Sequence, residues 1–123
     1  MKDLQFGEQY EHYIAQWLQE HNVEAKIVDS SLCDIVLTKS NIKLEVKADR
    51  WISQTGNLCL ELYSHIDLRN EGWLQYSVAD ILVYLAVNKY KVDKMLFYDF
   101  PSFKGYVFWE ILGGDWLCSR PKI

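Results

Sequence analysis

Apolar residues recur at helical spacing between residues 7 and 21, where Tyr10, Tyr13, Ile14, Trp17 and Leu18 share one face. His21-Asn22 is a plausible stop for that helix. Downstream the period shortens. Ala25 to Asp29 is a short strand, Ser30-Ser31 a turn, and Cys33 to Thr38 a β-rich run. Lys39-Ser40-Asn41 makes a tight polar break. From Ile42 to Lys47 the pattern alternates: Ile42, Leu44 and Val46 point one way, while Lys43, Glu45 and Lys47 point the other. The two runs and the break between them predict a β-hairpin.

The second half is read the same way. Ser53 to Asn57 is a loop signal, Leu58 to Tyr63 an alternating strand, Asp67 to Gly72 a polar loop, and Tyr76 to Asp80 a short helical turn. Ile81 to Val87 is continuously apolar, as in a strand buried on both faces. Lys94 to Phe100 is a further strand, and Pro101 suits the opening of a final short helix. The expected order is α-β-β-β-β-α-β-β-α, an α/β or α+β domain with a central mixed sheet flanked by helices. The chain of 123 residues shows no repeat and no linker, so residues 1–123 read as a single domain.

Composition narrows the function classes. Hydrophobic residues make up 50% of the chain, enough for a packed core. No apolar run approaches the roughly 20 residues that span a bilayer, and Met1 to Tyr10 is polar and acidic, unlike a leader peptide. The expectation is a cytoplasmic protein with no membrane partner. The three cysteines, Cys33, Cys59 and Cys118, form no C-x-x-C pair, so buried free thiols are expected. Gly113-Gly114 lacks the G-K-[ST] of a phosphate loop, which argues against a nucleotide cofactor. Ser77 has no His-based arrangement for nucleophilic catalysis. The net charge of -4 counts against nucleic acid as a partner, because phosphate contacts supply much of the affinity. That objection weakens if several acids are metal ligands.

Chemistry concentrates between Asp34 and Lys47. Glu45 and Lys47 leave the same face of one strand. A short turn can bring Asp34, at the start of the preceding strand, beside Glu45. Hard cations such as Mg²⁺ or Mn²⁺ prefer oxygen ligands. Asp34 and Glu45 supply carboxylates, and the carbonyl of Val46 can supply another oxygen. Such a cation acidifies water and stabilises charge on a phosphate, and Lys47 can orient the attacking water or neutralise developing charge. The same alternation also fits a half-exposed strand whose charges are merely solvated.

The run Asp34…Glu45-Val46-Lys47 resembles the signature of the PD-(D/E)XK nuclease superfamily, which includes type II restriction enzymes, archaeal Holliday junction resolvases and small phage endonucleases. The family's core order, a helix, three strands, a helix and a strand, fits the chain as far as Val87. The resemblance implies a restriction-endonuclease-like core and a metal-dependent endodeoxyribonuclease acting on DNA. It makes Asp34, Glu45 and Lys47 catalytic. Gly7 and Glu11 resemble the first helix of the junction resolvases, which implies that Glu11 reaches the metal through water. Glu11 lies at the edge of the helix's apolar face, whereas Glu8 lies nearly opposite it and is the secondary choice. Thr55-Gly56-Asn57 followed by Glu61, and Lys47-Ala48-Asp49-Arg50, resemble small phage members. They imply DNA contacts at Thr55, Gly56, Asn57 and Arg50, with Glu61 as a further candidate. Gly72-Trp73 and Ser77-x-Ala79-Asp80 also resemble that group, in which the segment before the strand packs near the active site; Asp80 is a candidate on that account. The chain departs from the pattern at Cys33, where the signature has Pro, and at Gln54, where a basic residue is expected.

So small a domain has little surface for reading bases in a groove. Selection of DNA by shape, a junction or branch, is therefore expected, with a homodimer supplying two cuts. The resemblance also suggests a phage-encoded protein acting in the host cytoplasm. The alternative is a nuclease-fold module that binds nucleic acid or a protein partner without cutting.

Overall fold

The computed structural model describes residues 2–30, 32–50, 52–55, 63–65, 70–71, 73–89 and 91–107. Helix α1 (Lys2–Glu20) starts earlier than its apolar period suggested. Phe6 extends the apolar face by one turn, packing edge-on against Tyr10 at 5.0 Å between ring centroids. The helix ends where expected. Asn22 takes φ 63°, and the Val23 N–H returns to the Leu18 carbonyl at 2.8 Å. A left-handed residue after the last turn lets the chain satisfy carbonyls that the helix leaves open.

Strands β1 (Ala25–Ile27), β2 (Ile35–Leu37) and β3 (Lys43–Asp49) form an antiparallel meander. The predicted hairpin is present, with Asn41 at φ 61° in its turn. Then come α2 (Ile52–Thr55), the small pair β4 (Tyr63–His65) and β5 (Asn70–Glu71), and α3 (Trp73–Tyr76). Strands β6 (Ile81–Asn88) and β7 (Lys91–Asp99) and helix α4 (Phe100–Tyr106) complete the described elements. The main sheet has five strands in the order β1-β2-β3-β6-β7, with β3 and β6 parallel and every other pair antiparallel. This is an α+β fold with a mixed sheet.

The observed order differs from the expected one between β3 and β6. Residues 58–62 of the anticipated strand lie outside the described residues, and Tyr63 opens β4. The polar stretch read as a loop contains β5. The helical turn expected at Tyr76 to Asp80 stops at Tyr76, and Ser77 to Ala79 run on as irregular chain. Short elements of this kind are set by tertiary contacts more than by local period.

The sheet is buried on both faces. On one, Leu44, Val46, Val83, Leu85, Val87 and Ile35 pack against Tyr10 and Ile14 of α1. On the other, Leu82 and Tyr84 pack with Leu74, Ala79, Cys33, Phe100 and Val107. Helix α4 covers this second face. Its start is fixed by the Asp99 side chain, which accepts from the Ser102 N–H, and by Pro101 in the first turn. Cys33 is a buried free thiol, as expected; Cys59 and Cys118 lie outside the described residues. No helix among the described residues is long and apolar enough to cross a membrane.

Candidate functional site

Strand β3 is the key to the site. It pairs with β6 along nearly its whole length, from Leu44 opposite Ile81 to Asp49 opposite Ala86. It pairs with β2 only over its first residues, and the ladder stops at Ile35 opposite Leu44. Beyond that point the β2-facing edge of β3 has lost its partner strand. Asp34 takes over there. Its N–H still bonds the Leu44 carbonyl at 2.9 Å, and its side chain replaces the missing strand, with Oδ2 accepting the Val46 N–H at 2.8 Å. The Val46 carbonyl leaves the strand on the same side as its N–H, towards that gap.

Glu45 approaches from the face covered by α4. The Asp34 and Glu45 carboxyls lie close enough for each to alter the other's protonation. Glu45 is thus not one of the merely solvated charges of a half-exposed strand. Glu45 is only 3% exposed. Its Oε1 accepts from the Ser77 hydroxyl at 2.7 Å, and its Oε2 lies 3.7 Å from Lys47 Nζ. Glu11 arrives from α1, half-buried and close enough to Asp34 and Lys47 to feel both charges. Its neighbour Glu8 is exposed, as the helical wheel indicated.

Two carboxyls buried this close to each other do not both ionise freely. Burial raises Asp34, and the Val46 N–H, Lys47 and Glu45 act against that rise. Burial, followed by the Asp34 charge, raises Glu45 from 4.5 to about 7, against the pull of Ser77 and Lys47. Glu11 also rises from 4.5 to about 7, by burial first and then by the charges of Asp34 and Glu8. Asp34 thus acts on both Glu45 and Glu11, and Lys47 opposes the rise of all three.

Stability should carry this signature. A carboxyl whose pKa is higher in the folded chain makes the folded state hold more protons than the unfolded one between the two values. Stability then falls as pH rises through that window. For Glu45 the window runs from 4.5 to about 7, and the loss above it is on the order of 3 kcal/mol. The melting temperature in EDTA is expected to drop by several degrees between pH 5.5 and pH 8. An equal or higher value at pH 8 would contradict this reading of the pair.

The remaining sequence candidates divide. Arg50 places its guanidinium 4.1 Å from the centroid of the Phe6 ring, a cation–π contact that ties β3 to α1. Asp80 is engaged with the backbone of Lys43. Its Oδ2 accepts the Lys43 N–H at 2.9 Å, and its backbone N–H bonds the Lys43 carbonyl at 2.7 Å, so it opens the β3–β6 ladder. It also lines an open cavity of about 560 Å³ with Ile81, Phe97, Tyr98, Asp99 and Pro101, none of which belongs to the carboxylate cluster. Thr55 is the last residue of α2. Gly56, Asn57 and Glu61 lie outside the described residues.

Two neighbours escaped the sequence reading. Asp49 is buried on β3, and its charge is met by the Tyr84 hydroxyl at 2.5 Å and the Ile52 N–H at 3.1 Å. Asp49 thereby fixes the start of α2. Ser77 is the other. The resemblance placed its segment near the site, but its hydrogen bond to Glu45 joins positions far apart in the chain. Comparison with family models, with curated proteins and with solved structures finds no match to this chain, so its function must be argued from this geometry.

Proposed function

We propose that the chain is a divalent-cation-dependent endodeoxyribonuclease built on a restriction-endonuclease-like core, and that Asp34, Glu45 and Lys47 carry the reaction. The observation that supports this most is the closeness of the buried Asp34 and Glu45 carboxyls, each acting on the other's protonation, beside Lys47 and at the point where β2 leaves β3. A buried pair of acids destabilises a fold unless a proton or a cation lies between them.

The donor set fits Mg²⁺ or Mn²⁺. Asp34, Glu45 and the Val46 carbonyl are hard oxygen donors, with no sulfur or imidazole among them. Among the described residues no group of three or more His, Cys, Asp and Glu side chains is gathered to hold a metal ion. A carboxylate pair with a carbonyl is nonetheless a sufficient protein contribution for Mg²⁺, which commonly keeps several waters. When bound, such a cation supplies charge neutralisation at the phosphate and acidifies water at the site.

The residues divide the remaining work. Lys47, held by Glu45, places a positive charge where a phosphodiester gains negative charge on the way to products. Glu11 titrates at about 7, so it can accept a proton near neutral pH, and it would do so through water. DNA selected by shape remains our reading of the substrate, with a homodimer placing two sites on one branched molecule and with Thr55, Gly56, Asn57 and Arg50 near its backbone. The net charge of -4 favours a second reading, a nuclease-fold module that docks a protein partner without cutting.

A substrate panel separates the two. Duplex, nicked, single-stranded, flap and four-way-junction DNA would each be incubated with the protein in Mg²⁺, Mn²⁺ or EDTA. The proposal expects cutting in either metal, strongest on branched DNA, and none in EDTA. No cutting of any substrate would favour the docking module.

A further inference from the structure

We infer that Ser77 is a positioning residue for the cation site, holding Glu45 in the orientation that turns its second oxygen towards Lys47 and the proposed cation. The inference rests on the cation reading above. Ser77 lies in the irregular chain between α3 and β6 and is 1% exposed. Its hydroxyl has one hydrogen and two acceptors in reach, Glu45 Oε1 at 2.7 Å and the Leu32 carbonyl at 3.1 Å. The Leu32 carbonyl is already served by the Val78 N–H at 2.9 Å. The Ser77 hydrogen therefore goes to Glu45, the shorter bond and the acceptor with the greater need. The oxygen in turn accepts the Ala79 N–H at 3.3 Å, which fixes the hydroxyl from its other side.

The backbone of Ser77 is anchored too. Its carbonyl accepts from Lys104 Nζ of α4, and that ammonium also sits 4.6 Å from the centroid of the Phe100 ring. Helix α4, the loop before β6 and the carboxylate on β3 thus form one chain of contacts. A glutamate side chain has several rotatable bonds, and fixing them costs entropy. Ser77 meets that cost before any ligand arrives. With Oε1 occupied by the hydroxyl, Oε2 is the oxygen that faces Lys47. Hydrogen bonds to the ligands of a metal commonly govern its affinity in this way.

The test is Mn²⁺ binding without DNA, read from the free-ion electron paramagnetic resonance signal, for wild type, Ser77→Ala, Ser77→Cys and Glu45→Gln. Thermal melts in EDTA would accompany each. Ser77→Cys keeps the shape of the side chain with a somewhat larger atom and replaces a strong donor with a weak one, so it reads the hydrogen bond even if the alanine variant folds poorly. Both Ser77 variants are expected to bind Mn²⁺ about 10-fold or more weakly than wild type, and Glu45→Gln to lose the site. Wild-type affinity in Ser77→Cys, whatever its melting temperature, would overturn the positioning role while leaving the cation site intact. A wild type that takes up no Mn²⁺ would overturn the cation reading itself, and this inference with it.

Discussion

Glu45→Gln is expected to abolish cation-dependent DNA cleavage and, at the same time, to stabilise the fold above pH 7. The two effects share one cause. Glu45 is buried beside Asp34, and above about pH 7 it gives up its proton there. The amide is neutral at every pH. Its oxygen can still accept from Ser77, and its nitrogen can donate to Asp34, so the local bonding survives without the repulsion. Relief of this buried charge should add roughly 1–3 kcal/mol at pH 8, or roughly 3–10 °C in melting temperature for a domain of this size. At pH 5 the gain should vanish, because Glu45 is already protonated there. Cleavage should fall below detection, because one of two carboxylate donors is gone. Melts in EDTA at both pH values and a cleavage assay in Mg²⁺ check the two halves. A variant that is less stable than wild type at pH 8 would show that Glu45 is a structural acid, not a functional one.

Lys47→Ala is expected to behave differently. The carboxylates and the Val46 carbonyl remain, so cation uptake should persist. The positive charge beside the reacting phosphate is lost, and removal of one such group from an electrostatic site typically lowers turnover by ~10²–10³. Single-turnover cleavage in saturating Mg²⁺, with Mn²⁺ titration as the control, measures both quantities. Wild-type turnover in this variant would remove Lys47 from the reaction. Loss of cation binding would recast it as a support for the fold of β3.

Much of this site is legible in the sequence, because it depends on local pattern. The alternation from Ile42 to Lys47 places Glu45 and Lys47 on one face, and the polar break before it makes the hairpin that delivers Asp34. The helical period sets Glu11 at the edge of the apolar stripe, and the structure finds it half-buried there. What the pattern does not carry is long-range pairing. Nothing near Asp34 in the chain announces that its side chain will replace β2 at the Val46 N–H, which requires β2 to stop at Ile35. The bond from Ser77 to Glu45, that from Tyr84 to Asp49 and the contact of Arg50 with Phe6 each join separate elements. A lone Ser invites a search for a His partner. A buried Ser beside a carboxylate has a different use, visible only once β6 is laid parallel to β3. Asp80, a motif position, likewise has a partner far off in the chain, the Lys43 N–H.

The decisive experiment on the cation site is an anomalous diffraction map from a crystal of the wild-type chain soaked in Mn²⁺ near pH 7.5. A single strong peak is expected, bound by the carboxylates of Asp34 and Glu45 and by the Val46 carbonyl. A map with no peak there would contradict the proposed site.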